Sequence, residues 1–167
     1  QMLEVLDIIV QPETSSPEQK LATWFHDVVY EPERSDNVDR SAEYARDSLR
    51  VLGIEKGSID RVHALIMTTD SHRPGTVEGA EALVDADLSI LGASPDRYER
   101  YTEEIRAEYS HLSDGGFARG RAAVLESFLE RNLIFTTEVG TKLFEAKARA
   151  NLERELQALR ESKSLIH

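Results

Sequence analysis

The chain has 167 residues, 40% of them hydrophobic and 31% charged, enough for one domain with a sizeable core. It has no cysteine, which excludes disulfides, zinc–thiolate sites and thiol catalysis and fits a reducing cytoplasm, where we expect the protein to reside. Acidic residues number 31 and basic residues 20, a net charge of −11 that repels nucleic-acid polymers, and no apolar run approaches the ~20 residues of a membrane helix.

Residues 1–9 read as the middle or end of a helix, so upstream residues are expected before Gln1. The stretch QPETSSP breaks that helix. Ser16-Pro17-Glu18 then supplies a cap, a proline at the first helical position and an acid in the first turn. The spacing of Leu21, Trp24, Phe25, Val28 and Val29 predicts a helix from there to near Pro32, with these residues as its apolar stripe. A third helix is predicted from Ser35-Asp36 to just before Gly53, with Ala42, Ala45, Leu49 and Leu52 on its apolar face. A fourth begins at Ser58 and carries Ile59, Val62, Leu65 and Ile66. A fifth runs from Val77 to Gly92. Ser94-Pro95-Asp96 opens a sixth, and Asp114-Gly115-Gly116 reads as its break. Phe117, Val124, Leu125, Phe128 and Leu129 mark a seventh, and Thr137-Glu138 caps a long last helix. Leu133 to Thr137 leans towards β but is too short and isolated for a sheet. The expectation is a single all-α domain over 1–167 with seven or eight helices.

Polar groups on apolar faces are the informative ones, because burying them costs energy unless a partner satisfies them. His26 and Asp27 fall inside the most apolar helix. Adjacent helix positions point about 100° apart, yet both side chains can reach one point at the helix edge. Asp87 falls on the stripe of Leu83, Val84 and Leu91, whereas Asp85 sits about 160° round the same helix. His72 closes the fourth helix, where a helix dipole also favours histidine. Each of these has a bland alternative as a solvated or salt-bridged side chain. His63, His111 and His167 are given no role. Taken together, His26, Asp27, Asp87 and His72 offer imidazole and oxygen ligands without sulfur, a set suited to Mn, Fe, Mg, Co or Ni and less typically to zinc. An acidic protein that handles phosphate needs local positive charge, which a bound divalent cation supplies compactly.

The run Phe25-His26-Asp27-Val-Val-Tyr30-Glu-Pro32 is followed by Ser35-Asp36-Asn37, Thr69-x-x-His72 and Asp85-Ala-Asp87-Leu-Ser-Ile-Leu-Gly92. After these come Tyr98-x-x-Tyr101, Gly120-Arg121, Phe128-Leu129-x-Arg131 and Ala148-Arg149-x-Asn151-Leu152. This ordered series resembles the HD-domain superfamily of metal-dependent phosphohydrolases, in particular a bacterial subgroup, over essentially the whole chain. The resemblance implies an all-helical domain holding one or two metals with a His…His-Asp…Asp pattern. His26 and Asp27 would be the middle pair, Asp87 the last ligand with Asp85 as the alternative, and His72 a pocket-lining or second-metal residue. No histidine precedes His26 in the sequence, so the first ligand of the pattern is expected upstream of Gln1.

The activity this resemblance implies is hydrolysis of a small phosphate ester or anhydride, a nucleotide among the candidates, by metal-activated water. Asp27 would bind metal and orient the water, and Glu31 or Asp36 would act as general base or support. Arg73, Arg106 or Arg121 would hold phosphates. Two other classes stay open: a non-catalytic nucleotide or metal sensor, and an acidic helical interaction domain. The last helix, with alanine and leucine at near-heptad spacing, packs a core or serves a homodimer.

Overall fold

The computed structural model describes residues 2–10 and 15–164 and is all-α, with no strand among the described residues. With the last helical run taken as one, the described residues form eight helices. Their backbone packing divides the chain into two compact units, 1–88 and 89–167. None of the described helices is long and apolar enough to cross a membrane.

The first unit holds α1 (Met2–Val10), α2 (Pro17–Phe25), α3 (Asn37–Val51), α4 (Lys56–Ser71) and α5 (Ala80–Leu88). Part of the QPETSSP break, residues 11–14, lies outside the described residues. Helix α2 starts where its cap dictates. The Ser16 hydroxyl accepts from the Gln19 amide, and the Gln19 side chain accepts from the Ser16 amide. Helix α3 stops in a Schellman motif. The amides of Gly53 and Ile54 donate back to the carbonyls of Arg50 and Leu49, with Gly53 at φ +75°. Helix α4 starts two residues before the predicted Ser58, because the Glu55 side chain caps it by accepting from the Ser58 amide. The core of this unit joins Ala22, Ala42, Ala45, Leu49, Ile59, Val62, Leu65, Ile66, Ala80 and Leu83.

Two expectations fail in this unit. Helix α2 ends at Phe25 rather than near Pro32. The Val29 amide donates to the Ser41 hydroxyl of α3, and that hydroxyl donates back to the Val29 carbonyl, so α3 claims the backbone a longer helix would have used. The stripe assigned to α2 is only partly its buried face: Leu21 and Phe25 pack against the core, but two of its other members lie further out. Trp24 is 72% exposed and Val28 44%, while Gln19, Ala22 and Thr23 are buried. The third helix keeps Ala42, Ala45 and Leu49 in the core, but Leu52, past its end, is exposed.

The second unit opens with a 3-10 turn, Ser89–Gly92, where the sequence predicted more of the fifth helix. It continues through α6 (Pro95–Glu108) and α7 (Asp114–Leu129) to α8 (Glu138–Gly140), a π turn over Thr141–Glu145 and α9 (Ala146–Ser164). The Asp114-Gly115-Gly116 break proves to be the first turn of α7, with the Ser113 hydroxyl accepting from the Gly116 amide. Leu91, Tyr98, Leu125, Phe128, Ile134, Phe135, Ala148 and Leu152 are buried here. The β-leaning stretch stays irregular. Its Ile134 and Phe135 amides donate to the Glu145 carboxylate, which gives the backbone a partner without a sheet.

Candidate metal centre

The end of α2 is what brings His26 and Asp27 to one point. His26 is the C-cap of α2 in αR conformation, and Asp27 lies in the turn just after it. His26 Nδ1 lies 2.9 Å from the Thr23 carbonyl oxygen. A carbonyl only accepts, so Nδ1 carries the proton and Nε2 is the free edge of the ring. That edge points at two carboxylates, 3.3 Å from Asp27 Oδ2 and 3.5 Å from Asp87 Oδ1.

The other oxygen of Asp87 lies 3.3 Å from His72 Nε2. His72 caps the end of α4 at φ 48°, ψ 45°, in the left-handed region. It is the one non-glycine residue with positive φ among the described residues. That conformation costs a residue with a Cβ roughly 1–2 kcal/mol, and such strain concentrates where a side chain must be aimed. The four side chains form a chain, His72–Asp87–His26–Asp27, with Asp27 at its exposed end: its side chain is 57% accessible against 15% for His26.

The electrostatics arise from this chain of contacts. Burial by itself would lower the pKa of His26, but the hydrogen bond and charge of Asp87, with Asp27 and the Thr23 carbonyl, override it and raise the pKa to about 9. Burial would raise that of Asp87, and the hydrogen bonds and charges of His26 and His72 reverse it, holding the carboxyl well below the usual range.

Of the other residues singled out, Asp85 is fully buried rather than turned away from the core. Asp87, expected on the core stripe, keeps 20% of its side chain accessible, so the two aspartates lie the other way round from the expectation; seven of the nine residues of α5 are buried, and a helix buried round most of its circumference has no single core stripe to read. Glu31 pairs with Arg40 at 2.5 Å. Asp36 makes a two-point contact with Arg34, which holds its carboxyl below the usual range and leaves it a poor proton acceptor. Arg73, next to His72, is exposed. Arg106 donates to the Tyr109 and Leu112 carbonyls and to Asp114, and Arg121 to Glu155, so both are engaged within the second unit.

Sequence reasoning missed the residues that hold α2 in place. Gln19 is buried, and its side-chain amide donates to the Gly79 carbonyl just before α5. Gly79 sits at φ +81°, a conformation that favours glycine, and a Cβ there would lie 2.9 Å from Gln19 Nε2 and push that amide off the Gly79 carbonyl. The signal was present in Ser16-x-x-Gln19, a capping-box spacing. Thr23 and Ser41 act through backbone contacts that no spacing rule exposes.

Among the described residues no group of three or more His, Asp or Glu is placed so that it could hold a metal ion. What the His26 edge offers is pairwise: a nitrogen near one oxygen of each of two carboxylates. Two donors each about 2.1 Å from one cation, at bond angles from square to tetrahedral, lie about 3.0–3.4 Å apart. The Nε2-to-carboxylate gaps of 3.3 and 3.5 Å are at or close to that spacing and longer than a good N–H···O hydrogen bond. The Nδ1–H to carbonyl contact of His26 is the support that metal-binding imidazoles usually have.

No family model matches the chain, and no curated protein or solved structure matches it either.

Proposed function

We propose that the chain is a divalent-metal-dependent phosphohydrolase of the HD type, acting on a small phosphate ester or anhydride such as a nucleotide. The observation that supports this most is the convergence of His26, Asp27, Asp87 and His72, from three separate segments, onto one run of contacts at 3.3–3.5 Å. A divalent ion held there would acidify a water molecule and offset phosphate charge on a protein of net charge −11. His26 offers Nε2, with its tautomer set by the Thr23 carbonyl. Asp87 offers one oxygen towards each histidine. Asp27 presents an accessible carboxylate that can orient the attacking water and accept its proton. Arg73 is placed beside His72 in the chain to meet phosphate oxygens.

The test is metal content by elemental analysis, for the chain beside a variant carrying His26→Ala and Asp27→Ala that retains its helical circular-dichroism spectrum. The expected result is about one or more ions per chain, absent from the variant, and a melting temperature raised by added Mn, Co, Ni or Mg. A chain that takes up no metal and whose melting temperature ignores all four ions would end this reading. One observation favours a second, a non-catalytic metal or nucleotide sensor: the four side chains stand as a run of pairs and not as a closed set of ligands. Metal uptake without turnover of any nucleotide or phosphate ester would select it.

A further inference from the structure

Gln19 is buried in α2, and both ends of its carboxamide are engaged. Its Oε1 accepts from the Ser16 amide at 2.8 Å, and its Nε2 donates to the Gly79 carbonyl at 2.9 Å. Burying an amide costs more than burying an apolar chain of the same length, so its placement needs a reason beyond filling space. The cap does not supply that reason. It uses only the oxygen, and glutamate serves a capping box equally well. What remains for the nitrogen is a bond across to the residue that precedes α5.

That bond has a counterpart at the other end of the same two helices. Gln19 to His26 spans seven positions, and Ala80 to Asp87 spans seven more. Each span is about two turns, or ~10 Å of rise. Helices α2 and α5 therefore run the same way and meet at two levels, Gln19 on Gly79 at their starts and His26 beside Asp87, 3.5 Å apart, at their ends. The other buried residues of α2, Ala22 and Thr23, are small, and apolar contact is non-directional, so neither resists sliding along the axis. A hydrogen bond does resist it, because its length is confined to about 2.7–3.2 Å. Single buried polar side chains fix register between packed helices in this way.

We propose that Gln19 is a positioning residue: its bond to the Gly79 carbonyl sets the axial register of α2 against α5, and so the approach of the His26 imidazole to the Asp87 carboxylate. The register is set with or without a metal; only the ion-binding consequence rests on the phosphohydrolase reading.

Three substitutions separate the tie from the cap. Gln19→Glu keeps the capping oxygen and removes the donor, Gly79→Ala displaces that donor from the other side, and Ser16→Ala removes the cap hydroxyl alone. If one tie variant fails to fold, the other reports. In chelator-treated protein, each is combined with Asp87→Asn in a double-mutant cycle read by urea denaturation. Sites this far apart with no shared partner act independently to within about a factor of two in the unfolding constant. Both tie variants should change the effect of Asp87→Asn by ~3-fold or more, and Ser16→Ala should not, although it also destabilises the chain. Calorimetric titration with Mn gives the functional readout: both tie variants should weaken binding about 10-fold, and Ser16→Ala should leave it unchanged. The new charge in Gln19→Glu would by itself strengthen cation binding, so a loss there has to come from position. Additive cycles for the tie variants overturn the proposal, whatever Mn does. Coupling of equal size from Ser16→Ala also overturns it, since general loosening of α2 would then explain the effect. Coupled cycles for the tie variants alone, in a chain that takes up none of Mn, Co, Ni or Mg, keep Gln19 in this role and end the phosphohydrolase reading.

Discussion

In the second unit, Arg121 donates to both oxygens of Glu155 at 2.7 and 3.1 Å, and Tyr98 donates to the same carboxylate at 2.5 Å. The Tyr101 ring lies 5.4 Å from the Arg121 guanidinium. In the first unit, His26, Asp27, Asp87 and His72 meet only at 3.3–3.5 Å, and the run is open to solvent at Asp27. Both clusters carry charge into partly or wholly buried surroundings. The cluster around Glu155 satisfies its donors with short bonds. The cluster around Asp87 keeps its imidazole edges and carboxylates 3.3–3.5 Å apart, longer than the bonds around Glu155. Tight closure marks a structural cluster, and loose convergence marks one that can exchange its internal pairs for something else.

The largest effect should come from opening the closed cluster. Glu155→Leu leaves the Arg121 guanidinium, 9% accessible, and the Tyr98 hydroxyl without their shared acceptor. Breaking one side of a buried pair costs about 3–5 kcal/mol. Urea denaturation should read that loss, and a loss under about 1 kcal/mol would mean that water or another side chain replaces the carboxylate.

The second test is pH. Folding raises the pKa of His26 from 6.5 to about 9, so the folded chain binds that proton more tightly than the unfolded one. The resulting stability is fully present below pH 6.5 and is lost as pH rises to about 9. A shift of this size corresponds to at most ~3.5 kcal/mol. Asp87 works in the opposite window: its pKa is lowered, so its stability is present above about pH 4 and lost as pH falls. Burial and the Glu155 carboxylate keep the Tyr98 hydroxyl protonated well above its usual pKa. Burial would instead lower that of Arg121, but Glu155 outweighs it and raises it, so the closed cluster does not titrate near neutrality. A metal-free melting temperature that is flat from pH 6.5 to 9 would contradict the pairing at His26. Metal uptake should strengthen over the same range, because the ligand must first release its proton.

The smallest effect sharpens the role of His72. His72→Ala and His72→Gly remove the same imidazole from Asp87. Glycine ordinarily costs 0.5–1 kcal/mol relative to alanine within a helix, but at φ 48° it should be the more stable of the two by about 1 kcal/mol. Equal loss of metal by both variants, with that reversed order of stability, would separate the imidazole's contribution from the strain of its backbone. Equal stability of the two would remove strain from the case for this site.

Much of the fold was legible because it is local. Ser16, Ser94 and Thr137 stand immediately before helices that start where those residues lie, and Gly53 ends α3 as its position predicts. The limits were equally physical. A periodic stripe reports amphipathicity, and in α2 the stripe of Trp24 and Val28 faces outward while the polar Gln19 and Thr23 are buried by satisfying each other and Gly79. The candidate site was legible as residue types, since a histidine–aspartate pair in an apolar run and an aspartate in a buried helix both ask for partners. Helical phase set Asp87 on the apolar stripe and Asp85 away from it, yet Asp85 is the fully buried one, because α5 is buried on nearly every side and its phase does not sort core from surface.

By itself, then, the amino-acid sequence determined the all-helical class, most helix starts and the identity of the polar groups that needed company. Caps, prolines and glycines act within a turn of themselves, so their consequences can be read along the chain. Tertiary structure alone decided where α2 stops, which aspartate meets His26 and His72, and that Trp24 faces solvent. Each of these depends on a contact with a distant segment, Ser41 on Val29, Asp87 of α5 on His26 and His72, and Gln19 on Gly79, whose free energy exists only once the helices have packed.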